Sequence, residues 1–97
     1  MLTGKQRSYL KGLANGLDPA VYIGKNELTD TVTSEMDNYL TAPELVKVKV
    51  HDNIEANVKA LANEAAEKLG AEYVQAIGRR FVLYRKSEEA PQIVLPR

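Results

Sequence analysis

Apolar residues recur along this chain in two rhythms that alternate with one another. Leu2, Gln6, Tyr9, Leu10 and Leu13 form a stripe at helical spacing, with Lys5, Arg7 and Lys11 off it. Thr3, with Gln6 three residues on, predicts the N-cap of this first helix by a capping box. Asn15-Gly16 ends the helix, and Asp18-Pro19 starts a turn. Ala20 to Ile23 then reads as a short buried strand. After the turn Gly24-Lys25-Asn26-Glu27, Thr29 is placed to cap a second helix running to about Leu40, with Leu28, Val32, Met36, Tyr39 and Leu40 on its apolar side. Thr41-Ala42-Pro43 stops it.

From Leu45 to Val50 the rhythm changes to strict alternation. The valines take one face of a strand, and Lys47 and Lys49 the other. Asp52 followed by Glu55 predicts the start of a third helix, with Val58, Leu61, Ala62, Ala65 and Leu69 inward and Gly70 as its stop. Tyr73 to Ile77 and Phe81 to Tyr84 are two strands of a hairpin, with Gly78-Arg79-Arg80 at its tip. Residues 86–97 form an irregular tail that lies across the core or pairs at a sheet edge. The order α-β-α-β-α-β-β predicts an α/β fold with a mixed four-stranded sheet. Its first two strands are parallel through a right-handed crossover, and its last two antiparallel.

Composition narrows the function. The 97 residues fit one domain, 1–97, and a chain of this size buries about 60–70% of its unfolded surface. With no cysteine, disulfides, thiolate catalysis and cysteine-ligated metals are excluded. Met1 to Arg7 holds no apolar core of a signal peptide, and no later run is long enough to cross a bilayer, so the expected location is the cytoplasm. Formal net charge is zero, but the charges are segregated. Residues 1–25 carry Lys5, Arg7, Lys11 and Lys25 against Asp18 alone, and residues 79–86 carry Arg79, Arg80, Arg85 and Lys86 with no acid. Residues 26–44 hold Glu27, Asp30, Glu35, Asp37 and Glu44 with no base. Should the two basic segments meet, the molecule has a basic face and an acidic one.

The turn after the first strand is the best candidate for chemistry. Unpaired amides and the positive end of a helix dipole favour phosphate there, and Lys25 adds a full charge. Asn26 suits a left-handed turn position, or donates its amide to phosphate or sugar. Lys47 and Lys49 share one sheet face, which is either solvated or open to a partner. Arg79 and Arg80 reach outward from the hairpin tip. Tyr22, Tyr39, Tyr73 and Tyr84 sit within apolar patterns, which assigns them to the core. His51 is the only histidine, so neither a metal site nor a triad can be completed around it. Glu35 and Asp37 point to different faces of a helix and make a poor acid/base pair. No Walker loop or dinucleotide fingerprint is present. The expectation is a monomer without catalysis, cofactor, metal, membrane or small-molecule substrate.

Leu10-Lys11-Gly12-Leu13-Ala14, Val21-Tyr22-Ile23-Gly24-Lys25, Leu45-Val46-Lys47-Val48-Lys49-Val50, Ile77-Gly78 and Val82-Leu83-Tyr84-Arg85 occur in the order seen in CRM domains (chloroplast RNA splicing and ribosome maturation). Together with the Leu95-Pro96-Arg97 ending, they resemble the single-domain bacterial members of the YhbY type across essentially the whole chain. The resemblance implies an RNA-binding fold like the C-terminal domain of a bacterial translation initiation factor. It further implies a role with ribosomal RNA, in precursors of the large subunit, and a Gly-x-x-Gly loop of the kind KH domains use to clamp a nucleic-acid backbone. Gly24, Lys25 and Asn26 match that loop. Glu27 replaces its second glycine and sets a side chain and a negative charge where phosphate approaches. With the family in view, Lys5, Arg7, Lys11, Lys47, Lys49, Arg79 and Arg80 become candidate RNA contacts. The competing expectation is an adaptor that reaches ribosomal particles through a protein, by way of the acidic second helix.

Overall fold

The computed structural model describes residues 1–97. Its elements are α1 (Gly4–Asn15), β1 (Val21–Ile23), α2 (Asp30–Thr41), β2 (Leu45–Val50), α3 (Val58–Leu69), β3 (Glu72–Ile77) and β4 (Arg80–Tyr84). The strands form one sheet in the order β1-β2-β4-β3, with β1 parallel to β2 and the remaining pairs antiparallel. This is the expected mixed four-stranded α/β architecture.

Helices cover both faces of the sheet. On one face Met36 and Leu40 of α2 and Leu61, Ala62, Ala65 and Ala66 of α3 pack on Val21, Ile23, Val46, Val48, Val50, Phe81 and Leu83. On the other, Leu10 and Ala14 of α1 pack with Leu2 on Leu45, Val74, Val82 and Tyr84. Hydrophobic burial on both sides is the main stabilising force. It also explains why β4 is buried at four consecutive positions, Phe81 to Tyr84, instead of alternating.

Helix ends obey local rules. Thr3 and Gln6 form the reciprocal capping box at α1. Thr29 Oγ1 accepts from the Val32 amide, and Asp30 occupies the first turn of α2. Gly70 closes α3 at φ 61°, a left-handed position that glycine takes without steric cost. The start of α3 differs from expectation. Its cap is Asn57, which receives the Ala60 amide, and not Asp52. Residues 51–56 form a loop instead, because the Arg79 guanidinium gathers the carbonyls of His51, Ile54 and Ala56. The loop opens on a turn closed by the Ile54 amide on the His51 carbonyl at 3.2 Å, and the arginine fixes it there.

Two other polar side chains organise the molecule. Arg85, at the end of β4, pairs with Asp37 at 2.9 Å and donates to the carbonyls of Leu69 and Asp37, tying the C-terminal ends of α2 and α3 to the sheet. Glu44 is fully buried, and its carboxylate accepts the amides of Ser87, Gln92 and Ile93 at 2.6–2.7 Å. Burial alone would raise the Glu44 carboxyl. The three amides and the Lys86 charge outweigh it and hold it below its ordinary value. Burial, and secondarily Glu44, raise the Tyr84 phenol. The anchored tail sets Ile93 and Leu95 against the α1-side core, and Gln6 donates to the Pro96 carbonyl. The tail therefore lies across the core and not at a sheet edge.

Candidate nucleic-acid interface

The α1 layer is shorter than the sheet beneath it. It covers Leu45, Val82 and Tyr84 and leaves the far end open, where Tyr22 and Arg80 are exposed and Lys49 half-exposed. The turn Gly24–Leu28 leaves the sheet at this same end, directly after Ile23, whose register partner is Val50.

Within the turn, the Glu27 amide donates to the Gly24 carbonyl at 2.9 Å and the Thr29 amide to the Glu27 carbonyl at 3.0 Å. The amides of Lys25, Asn26 and Leu28, and those of Asp30 and Thr31 at the start of α2, have no partner within the protein. These donors and the helix dipole create a positive potential, to which the exposed Lys25 adds. Nothing lies within 4 Å of a Cβ added at Gly24, so its backbone is open to approach. The left-handed residue is Glu27 at φ 56°, not Asn26 as expected. Glutamate here holds a backbone conformation that glycine takes without steric cost.

Some of the basic residues are bound within the fold. Lys47 Nζ donates to the carbonyls of Ala14 and Leu17 at 3.2 and 3.1 Å, satisfying the C-terminal end of α1. Arg79 is committed to the 51–56 loop, and Arg85 to the ends of two helices. By contrast, Lys11, Lys25, Lys49 and Arg80 carry no hydrogen bond or ion pair, and Arg7 uses only its Nε, on the Tyr73 carbonyl. Arg80 is the first residue of β4, paired in register with Ile77 and Lys49, so the hairpin tip is Gly78-Arg79 alone.

Helix α1 explains which cations converge. Gln6, Leu10 and Ala14 face inward, and the row one position later, Arg7, Lys11 and Asn15, runs beside β3. Arg7 and Lys11 line a groove with residues 73–77 of β3. That groove continues into a cleft of about 200 Å³ bounded by Asn15, Lys47, Gln75, Ile77, Arg80 and Val82. Lys5 heads the opposite flank, with Tyr9 and Leu13, and stands apart from this path. Tyr9 and Leu13, placed in the helix stripe by sequence, are 44% and 39% exposed, because Ala14 takes the inward position and brings α1 close to the sheet.

Tyr84 is buried as expected, but Tyr22 and Tyr39 are exposed. Tyr22 lies between Val21 and Ile23, both in the core, and strand alternation turns it to the open face. That alternation was visible in the sequence. It was masked because tyrosine counts as apolar. Ile77 is exposed for the same reason, and sequence reasoning did not single it out.

Comparison with known proteins agrees with this architecture. The model of the CRS1/YhbY (CRM) domain matches residues 2–85. A Haemophilus influenzae "RNA-binding protein" is 45% identical over 96 residues, spanning 99% of this chain and 96% of that protein. The Bacillus subtilis "Probable RNA-binding protein YqeI" is 38% identical over 96 residues, spanning 99% of this chain and 100% of its own length. The solution structure of a Staphylococcus aureus protein superimposes with a TM-score of 0.83 at 42% identity, covering 99% of this chain and 100% of the other.

Proposed function

The chain belongs to the CRS1/YhbY (CRM) family, and from that premise we propose that it is a cytoplasmic RNA-binding protein that acts, as a single module and a monomer, in assembly of the large ribosomal subunit. It binds precursor ribosomal RNA stoichiometrically and performs no chemistry on it. The observation that carries this reading is the convergence of unpartnered donors on one end of the molecule. The free amides of the Gly24–Leu28 turn and Lys25, Lys49, Arg80, Lys11 and Arg7 lie at this end and along the adjoining groove, while Lys47 and Arg79 spend their donors on the protein's own carbonyls.

The mechanism is a grip on the RNA backbone. The turn's amides and the start of α2 receive one phosphate, and the cations along the cleft and the β3 edge receive the next ones. Glu27 limits how closely the first phosphate approaches, so the row of cations supplies more of the affinity than it would with a second glycine. Titration of purified protein against naked large-subunit ribosomal RNA and against assembling particles tests this. Saturable binding to the naked RNA, weakened by charge removal at Lys49 and Arg80, is the expected result. Binding to particles alone would favour the adaptor reading instead.

A further inference from the structure

The open end of the sheet presents a row of four side chains that a grip on phosphate uses only in part. Tyr22 pairs in register with Lys49, Lys49 with Arg80, and Arg80 with Ile77, so the row crosses every strand in the order β1-β2-β4-β3. All four project away from α2 and α3, since their strand neighbours Val21, Ile23, Val48, Val50, Ala76 and Phe81 pack into the core on that side. Tyr22 is 62% and Ile77 67% exposed. Neither supports the fold, yet each stands next to a cation that has no acidic partner. The protein's two ion pairs, Met1 with Glu72 and Arg85 with Asp37, involve none of the four.

We propose that this row is a platform for unpaired bases and confers a preference for single-stranded over duplex RNA. The inference rests on the RNA-binding reading above and adds which form of RNA is taken. At the spacing of adjacent strands, Tyr22 and Ile77 stand about 14 Å apart, with Lys49 and Arg80 between them. A base stacks on the Tyr22 ring, a second lies against Ile77, and the connecting phosphates pass over the two cations. Four-stranded sheets elsewhere present aromatics to two or three bases in this manner. In an A-form duplex the base faces are stacked internally, so only an unpaired base can meet the tyrosine ring. Charge complementarity alone would not distinguish the two forms. The flat, exposed ring does.

The test compares wild type, Tyr22→Ala, Tyr22→Phe and Ile77→Ala for binding to a short oligouridylate and to an RNA duplex of equal length. Tyr22→Ala is expected to weaken oligouridylate binding by at least about fivefold and to leave duplex binding within about twofold, while Tyr22→Phe stays near wild type. Ile77→Ala provides a second arm with a smaller loss of the same selectivity. Wild-type affinity in both alanine variants, an equal loss on single strand and duplex, or a Tyr22→Phe variant as weak as Tyr22→Ala would each overturn the platform. Wild-type protein that binds neither RNA would instead overturn the reading beneath it.

Discussion

Glu27 holds a left-handed backbone in the turn that leads into α2. A non-glycine residue there costs about 1–2 kcal/mol, partly offset in glycine by its greater loss of chain entropy. Glu27→Gly should therefore raise folding stability by about 0.5–1 kcal/mol, read by chemical denaturation. The same change removes a carboxylate from the phosphate approach and should tighten RNA binding. A stabilised variant with unchanged or weaker affinity would show that the loop is not the grip. Glu44 predicts a pH effect of opposite origin. Its folded carboxyl lies below the ordinary value of 4.5, so its stabilisation is complete above that pH and is lost as pH falls through the lowered value. Glu44→Gln should cost about 2–4 kcal/mol near neutrality by misfitting the three tail amides. It should also flatten the acid side of the stability profile, which thermal melts across pH would reveal.

Elements show why some of the site could be read from sequence and some could not. Helix caps at Thr3 and Thr29 and the Gly70 stop matched because their partners lie within four residues, and β2 because alternation is a pattern of adjacent residues. The roles of Lys47 and Arg79 were not legible. Each depends on carbonyls brought near by tertiary folding, 28 to 33 residues away for the Leu17, Ala14 and His51 contacts. The false start of α3 at Asp52 has the same source, since Arg79 holds that loop from a distant hairpin. Coverage of the sheet by α1 was equally hidden. It decides that Val82 is core and Arg80 surface, although they occupy the same face two residues apart. Arg79→Ala should accordingly cost about 1–3 kcal/mol of stability, with melting as the readout. The dependence of RNA affinity on salt should stay unchanged in the same variant. A lost salt slope in a folded Arg79→Ala would return that residue to the interface.

At the scale of the whole molecule, zero net charge conceals a polarity that the fold creates. Acidic residues of α2 lie on the opposite side of the sheet from α1, and Asp37 is already bound to Arg85. Arg7, Lys11, Lys25, Lys49 and Arg80, none of them in an ion pair, share the α1 side and its open end. Five phosphate contacts predict that log affinity for single-stranded RNA falls with log salt at a slope of about −3.5, each contact contributing about −0.7. The most direct measurement is this slope in the wild type and in a Lys49→Ala/Arg80→Ala double variant, with folding verified in both. The double variant should retain its fold while its slope shrinks by about 1.4. A wild-type slope near zero, or a slope unchanged by removing both cations, would contradict it.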